Sequence, residues 1–167
     1  MPLIYLLTGT NVGNRLKNLE KAHDLVAQKA GTVKRRSAIY ETAAWGVEQQ
    51  PAFLNQVIEL NTLLSPEVLL AELKEAERKM GRKVGSKWGP RLIDIDILFY
   101  ENLVYHSPRL TVPHPRLHQR RFTLVPLAEL VPDFSHPLLQ HTIAELLRLC
   151  NDPLQVNRME INPPDRF

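Results

Sequence analysis

An aliphatic, β-branched run carrying two aspartates two residues apart constrains this chain more than any other segment. It occupies residues 92–100, follows Lys87-Trp88-Gly89-Pro90-Arg91, and sets Asp94 and Asp96 among Ile93, Ile95, Ile97, Leu98 and Phe99. Short length, branching at Cβ and a Gly-Pro boundary predict a strand. Side chains alternate along a strand, so Asp94 and Asp96 project to one face while Ile93, Ile95, Ile97 and Phe99 turn into a core on the other.

The two like charges oppose that arrangement. At ~6 Å and an effective dielectric of ~20 they cost roughly 3 kcal/mol before any desolvation. A pair of hard divalent cations removes the conflict, because Mg²⁺ takes oxygen ligands and is held by one or two carboxylates plus substrate phosphates. A solvated strand edge with Arg91 as ion-pair partner is the other reading, and residue chemistry leaves both open.

The surrounding charge is one-sided. Arg78, Lys79, Arg82, Lys83, Lys87 and Arg91 follow one another with no acidic residue between them. Residues 102–128 hold Arg109, Arg116, Arg120, Arg121, His106, His114 and His118, again without Asp or Glu. A basic field beside an Asp-x-Asp strand suits an anionic ligand that arrives with its metal; solubilising surface charge and a nucleic-acid footprint are the alternatives.

With 167 residues the chain can bury one core, and a single domain over residues 1–167 with a peripheral tail at 151–167 is expected. The lone Cys150 excludes an intrachain disulfide and a cysteine metal cluster. No run reaches transmembrane length, and Met1-Pro2-Leu3 has no basic leader. The expectation is a soluble cytoplasmic monomer with no membrane partner.

Apolar spacing and Gly/Pro punctuation give the rest. Residues 3–7 read as a strand, ended by Thr8-Gly9-Thr10-Asn11-Val12-Gly13. Asn14 then caps a helix with Leu16, Leu19, His23, Val26 and Ala30 on one stripe and Gly31 at its end. Residues 32–42 read as one basic, partly exposed strand. After a loop over residues 43–51, a strand puts Leu54, Ile58 and Leu60 on one face and Phe53, Asn55 and Val57 on the other. Ser65-Pro66-Glu67 starts a helix that buries Leu69, Leu73, Ala76 and Met80, and Gly81 closes it. Beyond the Asp-x-Asp strand come a Pro- and His-rich loop and helices over residues 122–130 and 142–150. The order predicts an α+β ferredoxin-like βαββαβ sandwich, with helices on one face of an antiparallel sheet and additional C-terminal helices. That fold hosts many activities.

The segment Lys87-Trp88-Gly89-Pro90-Arg91-Leu92-Ile93-Asp94-Ile95-Asp96-Ile97-Leu98 resembles the signature of the 6-hydroxymethyl-7,8-dihydropterin pyrophosphokinases. Thr8-Gly9-Thr10-Asn11-Val12-Gly13 is similar to that family's opening strand and loop. Tyr40-Glu41-Thr42, Gly46, Gln50-Pro51 and Phe53-Leu54-Asn55 are similar to its pterin segment. Residues 77–82 and the stretch from Arg109-Leu110-Thr111-Val112-Pro113-His114-Pro115 to Arg120-Arg121-Phe122 are similar to its ATP segments. The resemblance covers residues 3–130 and omits the tail. It implies an ATP-dependent diphosphotransferase of folate biosynthesis whose partners are small molecules rather than nucleic acid.

A pterin is flat, with donors and acceptors along one edge, so it wants aromatic faces and in-plane amides or hydroxyls. Phe53 and Asn55, on one strand face, can supply a wall and an edge-reading amide. The resemblance adds Phe122 as the opposite wall and Thr42, Ala43 and Trp45 along the edge; without it, Phe53 and Phe122 read as core residues. It also implies that Lys74, Glu77, Trp88, Arg91, Ile97, Arg109, Thr111, His114 and Arg120 surround ATP. Guanidinium forks match phosphate oxygens, although any one arginine alone reads as solvated and His114 equally as a loop histidine bonded to backbone. Arg82, Arg91, Asp94 and Asp96 would carry catalysis, with two Mg²⁺ on the aspartates and attack at the β-phosphorus releasing AMP. No side chain is an obvious general base; Asp96 lies nearest.

The sequence departs from the family pattern at Val84, where many members have a second arginine that Lys83 or Lys87 cannot replace as a fork. Gly85-Ser86 suits a lid over ATP. Ala43-Ala44-Trp45 stands where prolines are common. An RNA-binding module of the same fold would want exposed aromatics on its central strands and leaves Asp94 and Asp96 unexplained. A two-metal nuclease or phosphatase shares the aspartates but does not predict Phe53, Asn55 and Phe122 together.

Overall fold

A computed structural model describes residues 1–43, 50–81 and 92–161. Strand β1 (Leu3–Thr10) leads into α1 (Arg15–Lys29), whose N-terminus is capped by Asn14 accepting the Lys17 N–H. The predicted single strand over residues 32–42 is two, β2 (Thr32–Arg36) and β3 (Tyr40–Thr42), both paired with β4 (Phe53–Asn61). The break comes at Ser37, whose Oγ accepts the Val57 N–H at 2.9 Å and takes over a ladder position. Helix α2 (Pro66–Lys79) and strand β5 (Asp94–Tyr100) complete the βαββαβ order. A small β6 (Tyr105–His106) and β7 (Thr111–Val112) pair follows, then a 3₁₀ turn (Leu117–Gln119), α3 (Arg121–Leu130), α4 (Ile143–Leu149) and β8 (Val156–Arg158).

The main sheet runs β5-β1-β4-β3-β8, antiparallel throughout, with β2 alongside β3 on β4. This is the strand order of a ferredoxin-like sandwich. Connections are tight: a Cβ at Gly31 would come 2.0 Å from the Asn61 carbonyl, so only glycine lets the chain turn from α1 into β2 there.

Both faces of the sheet are covered. Ile4, Leu6, Leu54, Ile58, Ile93 and Ile95 meet Leu19, Val26, Leu69 and Leu73 of α1 and α2. Tyr5, Leu7, Val57, Leu98 and Phe99 meet Leu124, Leu127, Ile143 and Leu146 of α3 and α4. The additional C-terminal helices therefore build a third layer, where helices on one face were expected.

Two sequence expectations shift. In α1 the buried stripe is Asn18, Leu19, Ala22 and Val26, while His23 is only half-buried. Asn18 is admitted because its amide donates to Thr10 Oγ1 and the Val12 carbonyl. In β5 a register shift opposite Tyr5 and Leu6 sends Phe99 to the α3/α4 face, away from Ile93, Ile95 and Ile97. A bulge inserts one residue and reverses the alternation beyond it.

The tail, expected at the periphery, supplies the outermost strand of the sheet on β3 and buries Asp152. No helix among the described residues is long and apolar enough to cross a membrane.

Candidate active site

At one end of the sheet a row of residues crosses four strands. Gly9 of β1 is paired with Asp94 of β5 on one side and with Asn55 of β4 on the other, and Asn55 is paired with Tyr40 of β3. Paired residues share a face, so Asp94 and Asn55 both look toward the α3 side. Two inter-strand spacings separate them by about 10 Å, with a glycine in the gap. A Cβ at Gly9 would sit 2.6 Å from Asn55 Nδ2 and 3.8 Å from the Phe53 ring. The next pairs on the same face are Asp96 with Leu7, and Phe53 with Thr42. The sheet floor thus carries carboxylates at its β5 edge and an aromatic-amide-hydroxyl group two strands away.

Helix α3 stands over this floor. Phe122 lies in its first turn, half-buried against the second core, and the Arg120 guanidinium is 5.6 Å from the centroid of that ring. The charges of Asp96 and then Asp94 offset part of the cost of burying Arg120. From the outer side of β5, the almost wholly buried Glu77 of α2 accepts the Ile95 N–H at 2.9 Å, and Lys74 Nζ donates to its two oxygens at 3.3 and 3.5 Å.

The electrostatics are set against the carboxylates. Burial, and then the Asp94 charge, push the Asp96 carboxyl up to about 6; Lys74 and Arg120 oppose the rise. Two same-face oxygen donors whose mutual repulsion is only partly offset fit a hard divalent cation that completes its shell with phosphate and water. His114 goes the other way: burial, then Arg120 and Arg116, hold its imidazole down to about 4. Its Nδ1 accepts the Arg116 N–H at 3.2 Å, so the neutral ring keeps its proton on Nε2.

Among the described residues, two buried side-chain atoms have no hydrogen-bond partner, Thr42 Oγ1 and Arg120 Nε. Buried polar atoms are nearly always paired, so these two orphans mark positions that a ligand can satisfy.

Half of the expected residues gather here: Asp94, Asp96, Thr42, Phe53, Asn55, Phe122, Arg120, Lys74 and Glu77. His114 reaches the neighbourhood through its N–H bond to the Leu98 carbonyl. Ala43 is exposed just beyond β3. Ile97 is buried in the α1/α2 core, on the face opposite the aspartates. Arg109 and Thr111 belong to the β6–β7 hairpin, where Arg109 is exposed and Thr111 Oγ1 is bonded to His106 Nδ1. Trp45, Arg82, Trp88 and Arg91, with Ala44 and Val84 among the departures, lie outside the described residues.

Other residues of the site were not singled out as such. Gly9 had one available signal, a glycine inside a strand. Asn11 donates to Gln50 Oε1 and the Pro51 carbonyl, and Arg15 to Glu41 and the Ala52 carbonyl, which fixes the approach to Phe53. The one group of three metal-capable side chains among the described residues, Glu20, His23 and Asp24, is on α1, with Glu20 already bonded to Arg36.

Residues 5–132 match the family described as 7,8-dihydro-6-hydroxymethylpterin-pyrophosphokinase. The chain belongs to that family, and it is an enzyme, a pyrophosphokinase of folate biosynthesis. It is 41% identical over 145 residues to the 2-amino-4-hydroxy-6-hydroxymethyldihydropteridine pyrophosphokinase of Aquifex aeolicus, covering 87% of this chain and 90% of that one. Against the Bacillus subtilis protein of the same name it is 41% identical over 129 residues, 77% of each chain. A mitochondrial folate synthesis bifunctional protein of Arabidopsis thaliana is 44% identical over 128 residues, 77% of this chain but 23% of that one. The fold is also that of the Plasmodium falciparum HPPK-DHPS crystal structure, at a TM-score of 0.74 and 18% identity over 89% of this chain and 43% of that one.

Proposed function

We propose that this enzyme transfers pyrophosphate from ATP to 6-hydroxymethyl-7,8-dihydropterin and releases AMP. The observation that carries the reading is the row Asp94–Gly9–Asn55, which sets a carboxylate pair and an aromatic-amide group on one sheet face with a gap between them. The pterin ring would lie between Phe53 and Phe122, its edge read by the Asn55 amide and the unpaired Thr42 hydroxyl, with Ala43 and Trp45 beside it. The triphosphate would lie toward β5, where Arg120 and the Nε2–H of His114 offer donors to its oxygens, with Lys74, Glu77, Trp88, Arg91, Arg109 and Thr111 assigned to the nucleotide and Arg82 and Arg91 to the phosphates by the family resemblance; Ile97, whose side chain is in the α1/α2 core, would take part only through its backbone.

Asp94 and Asp96 would hold two Mg²⁺, which when bound neutralise the triphosphate and make its β-phosphorus more electrophilic. The hydroxymethyl oxygen then forms a bond to that phosphorus, the bond from it to the oxygen bridging the α-phosphate breaks, and AMP departs with the bond electrons; the hydroxyl proton is lost to solvent. In this reading the chain contributes position and charge: anchors on Asp94 and Asn55, about 10 Å apart across two strand spacings, would bring donor and acceptor together, with Arg120 supplying charge.

The test is to incubate the protein with ATP, Mg²⁺ and 6-hydroxymethyl-7,8-dihydropterin and resolve the nucleotides. AMP that forms only when pterin and Mg²⁺ are both present is the expected result. ADP instead of AMP, or hydrolysis without pterin, overturns the reading.

A further inference from the structure

Helix α3 carries site residues at its very start, yet its own sequence holds that start poorly. Its N-cap is Arg120, whose side chain cannot accept a hydrogen bond, and no side chain caps the helix from within. Pro126 inside the helix has no N–H to offer the carbonyl four residues back, which is that of Phe122. The first turn therefore lacks both a cap and one internal bond. Position there matters, because the Arg120 guanidinium, with a buried Nε that has no partner, lies 5.6 Å from the centroid of the Phe122 ring, and Phe122 packs against the core between α3 and the sheet.

The missing restraint comes from the tail, outside the region that matches the family. Asp152 is buried, at 6% exposure. Its Oδ2 accepts the Arg121 N–H at 3.0 Å and its Oδ1 accepts the Leu154 N–H at 3.0 Å. The Arg121 side chain turns away from the site and donates to the carbonyls of Asp152 and Cys150, each at 3.1 Å. A carboxylate at a helix N-terminus satisfies an orphan N–H and opposes the helix dipole. Arg121 is thereby held by its backbone and its guanidinium, and it is the residue between Arg120 and Phe122.

We propose that Asp152 and Arg121 form a clamp that positions Arg120 and Phe122 together, so that one contact with the tail sets both the nucleotide and the pterin sides of the site. The proposal rests on the functional reading above. It separates this contact from ordinary tertiary glue by what it couples: losing it weakens two ligands that bind through different residues.

The experiment uses the full chain and the variants Asp152→Ala, Asp152→Asn and Arg121→Met. Thr62→Val serves as a control, because it loses two hydrogen bonds at the far end of β4 and touches no site residue. Binding of the pterin and of Mg²⁺-ATP is measured separately, with kcat, at a temperature where every variant is folded by circular dichroism. Expected are losses of about tenfold in affinity for each ligand in Asp152→Ala, smaller losses in Asp152→Asn and Arg121→Met, and unchanged binding in Thr62→Val. Adding Asp152→Ala to Phe122→Ala should weaken pterin binding little further, since the residue being positioned is already gone. If Asp152→Ala lowers the unfolding temperature but binds both ligands as the wild type does, the clamp is overturned; should that variant not fold, wild-type binding by Arg121→Met overturns it equally. A wild-type protein that binds neither ligand defeats the functional reading, and that outcome is read before any variant.

Discussion

Asn55 fills the space that the missing side chain of Gly9 leaves: a methyl group at position 9 would stand 2.6 Å from the Asn55 amide nitrogen. The contact is with the end of a side chain, so Gly9→Ala should be absorbed by turning the amide, not by moving the sheet. The fold should lose less than about 1 kcal/mol, toward the mild end of overpacking costs. The amide would no longer face the gap, and pterin affinity should fall by tenfold or more. Chemical denaturation together with pterin titration checks both halves; a variant that binds pterin normally means the glycine is there for the strand alone.

Asp96 is predicted to cost the protein stability in return for activity. Its ionised form is disfavoured by burial and by Asp94, which is why its carboxyl sits at about 6. Asp96→Asn removes the charge and keeps the shape. At pH 7 and without divalent cations it should raise unfolding free energy by ~1–3 kcal/mol, the scale of a two-unit shift. It should also lower turnover by at least ~10³-fold, and Mg²⁺ with ATP should raise the unfolding temperature of the wild type far more than that of the variant. Equal Mg²⁺-dependent shifts in both proteins would remove Asp96 from the metal site.

His114 gives a pH dependence of definite sign. In the unfolded chain it titrates near ~6.5, whereas in the fold burial, Arg120 and Arg116 hold it to about 4. Between those values the unfolded chain binds the proton more readily, so this residue contributes full stability above about pH 6.5 and loses it as pH falls toward 4. The total is up to roughly 3 kcal/mol. Asp96 works in the opposite sense over part of the same window, so the clean measurement is a difference. Stability of wild type minus His114→Gln, followed by denaturation from pH 7.5 to 4.5, should shrink on acidification. A flat difference means that His114 is not desolvated.

What could be read from the sequence was whatever local alternation dictates. Asp94 and Asp96 lie on one face because two residues of extended chain return to the same side, and the Ile93–Ile95–Ile97 face followed from the same rule. Phe99 broke it, since the bulge opposite Tyr5 and Leu6 depends on how two strands meet and leaves no mark in either alone. The α1 stripe was displaced for a related reason: Asn18 is buried by bonds to Thr10 and Val12, which apolar spacing cannot see. The hold of Asp152 on Arg121 spans 31 residues between segments with no shared pattern. Gly9 was legible as a glycine in a strand, but its partners Asn55 and Asp94 appear only once three strands are in register.

The last prediction concerns the outer edge of β5. Ile95 lies between the two aspartates, and its N–H points away from β1 into the buried carboxylate of Glu77 at 2.9 Å. Glu77→Ala leaves that N–H without its acceptor in a buried place, at a cost of about 1–3 kcal/mol, and lets the edge of the strand fray where the carboxylates are mounted. Glu77→Gln keeps an acceptor oxygen and should lose less. Amide hydrogen exchange reads the effect directly: Ile95 should exchange at least tenfold faster in Glu77→Ala, with the Leu6 amide on the adjacent strand changing only as much as global stability does. Turnover should fall with the fraying in Glu77→Ala and recover in part in Glu77→Gln. If Ile95 exchanges equally slowly in both variants, the edge is held by its ladder to β1 and Glu77 acts through charge alone.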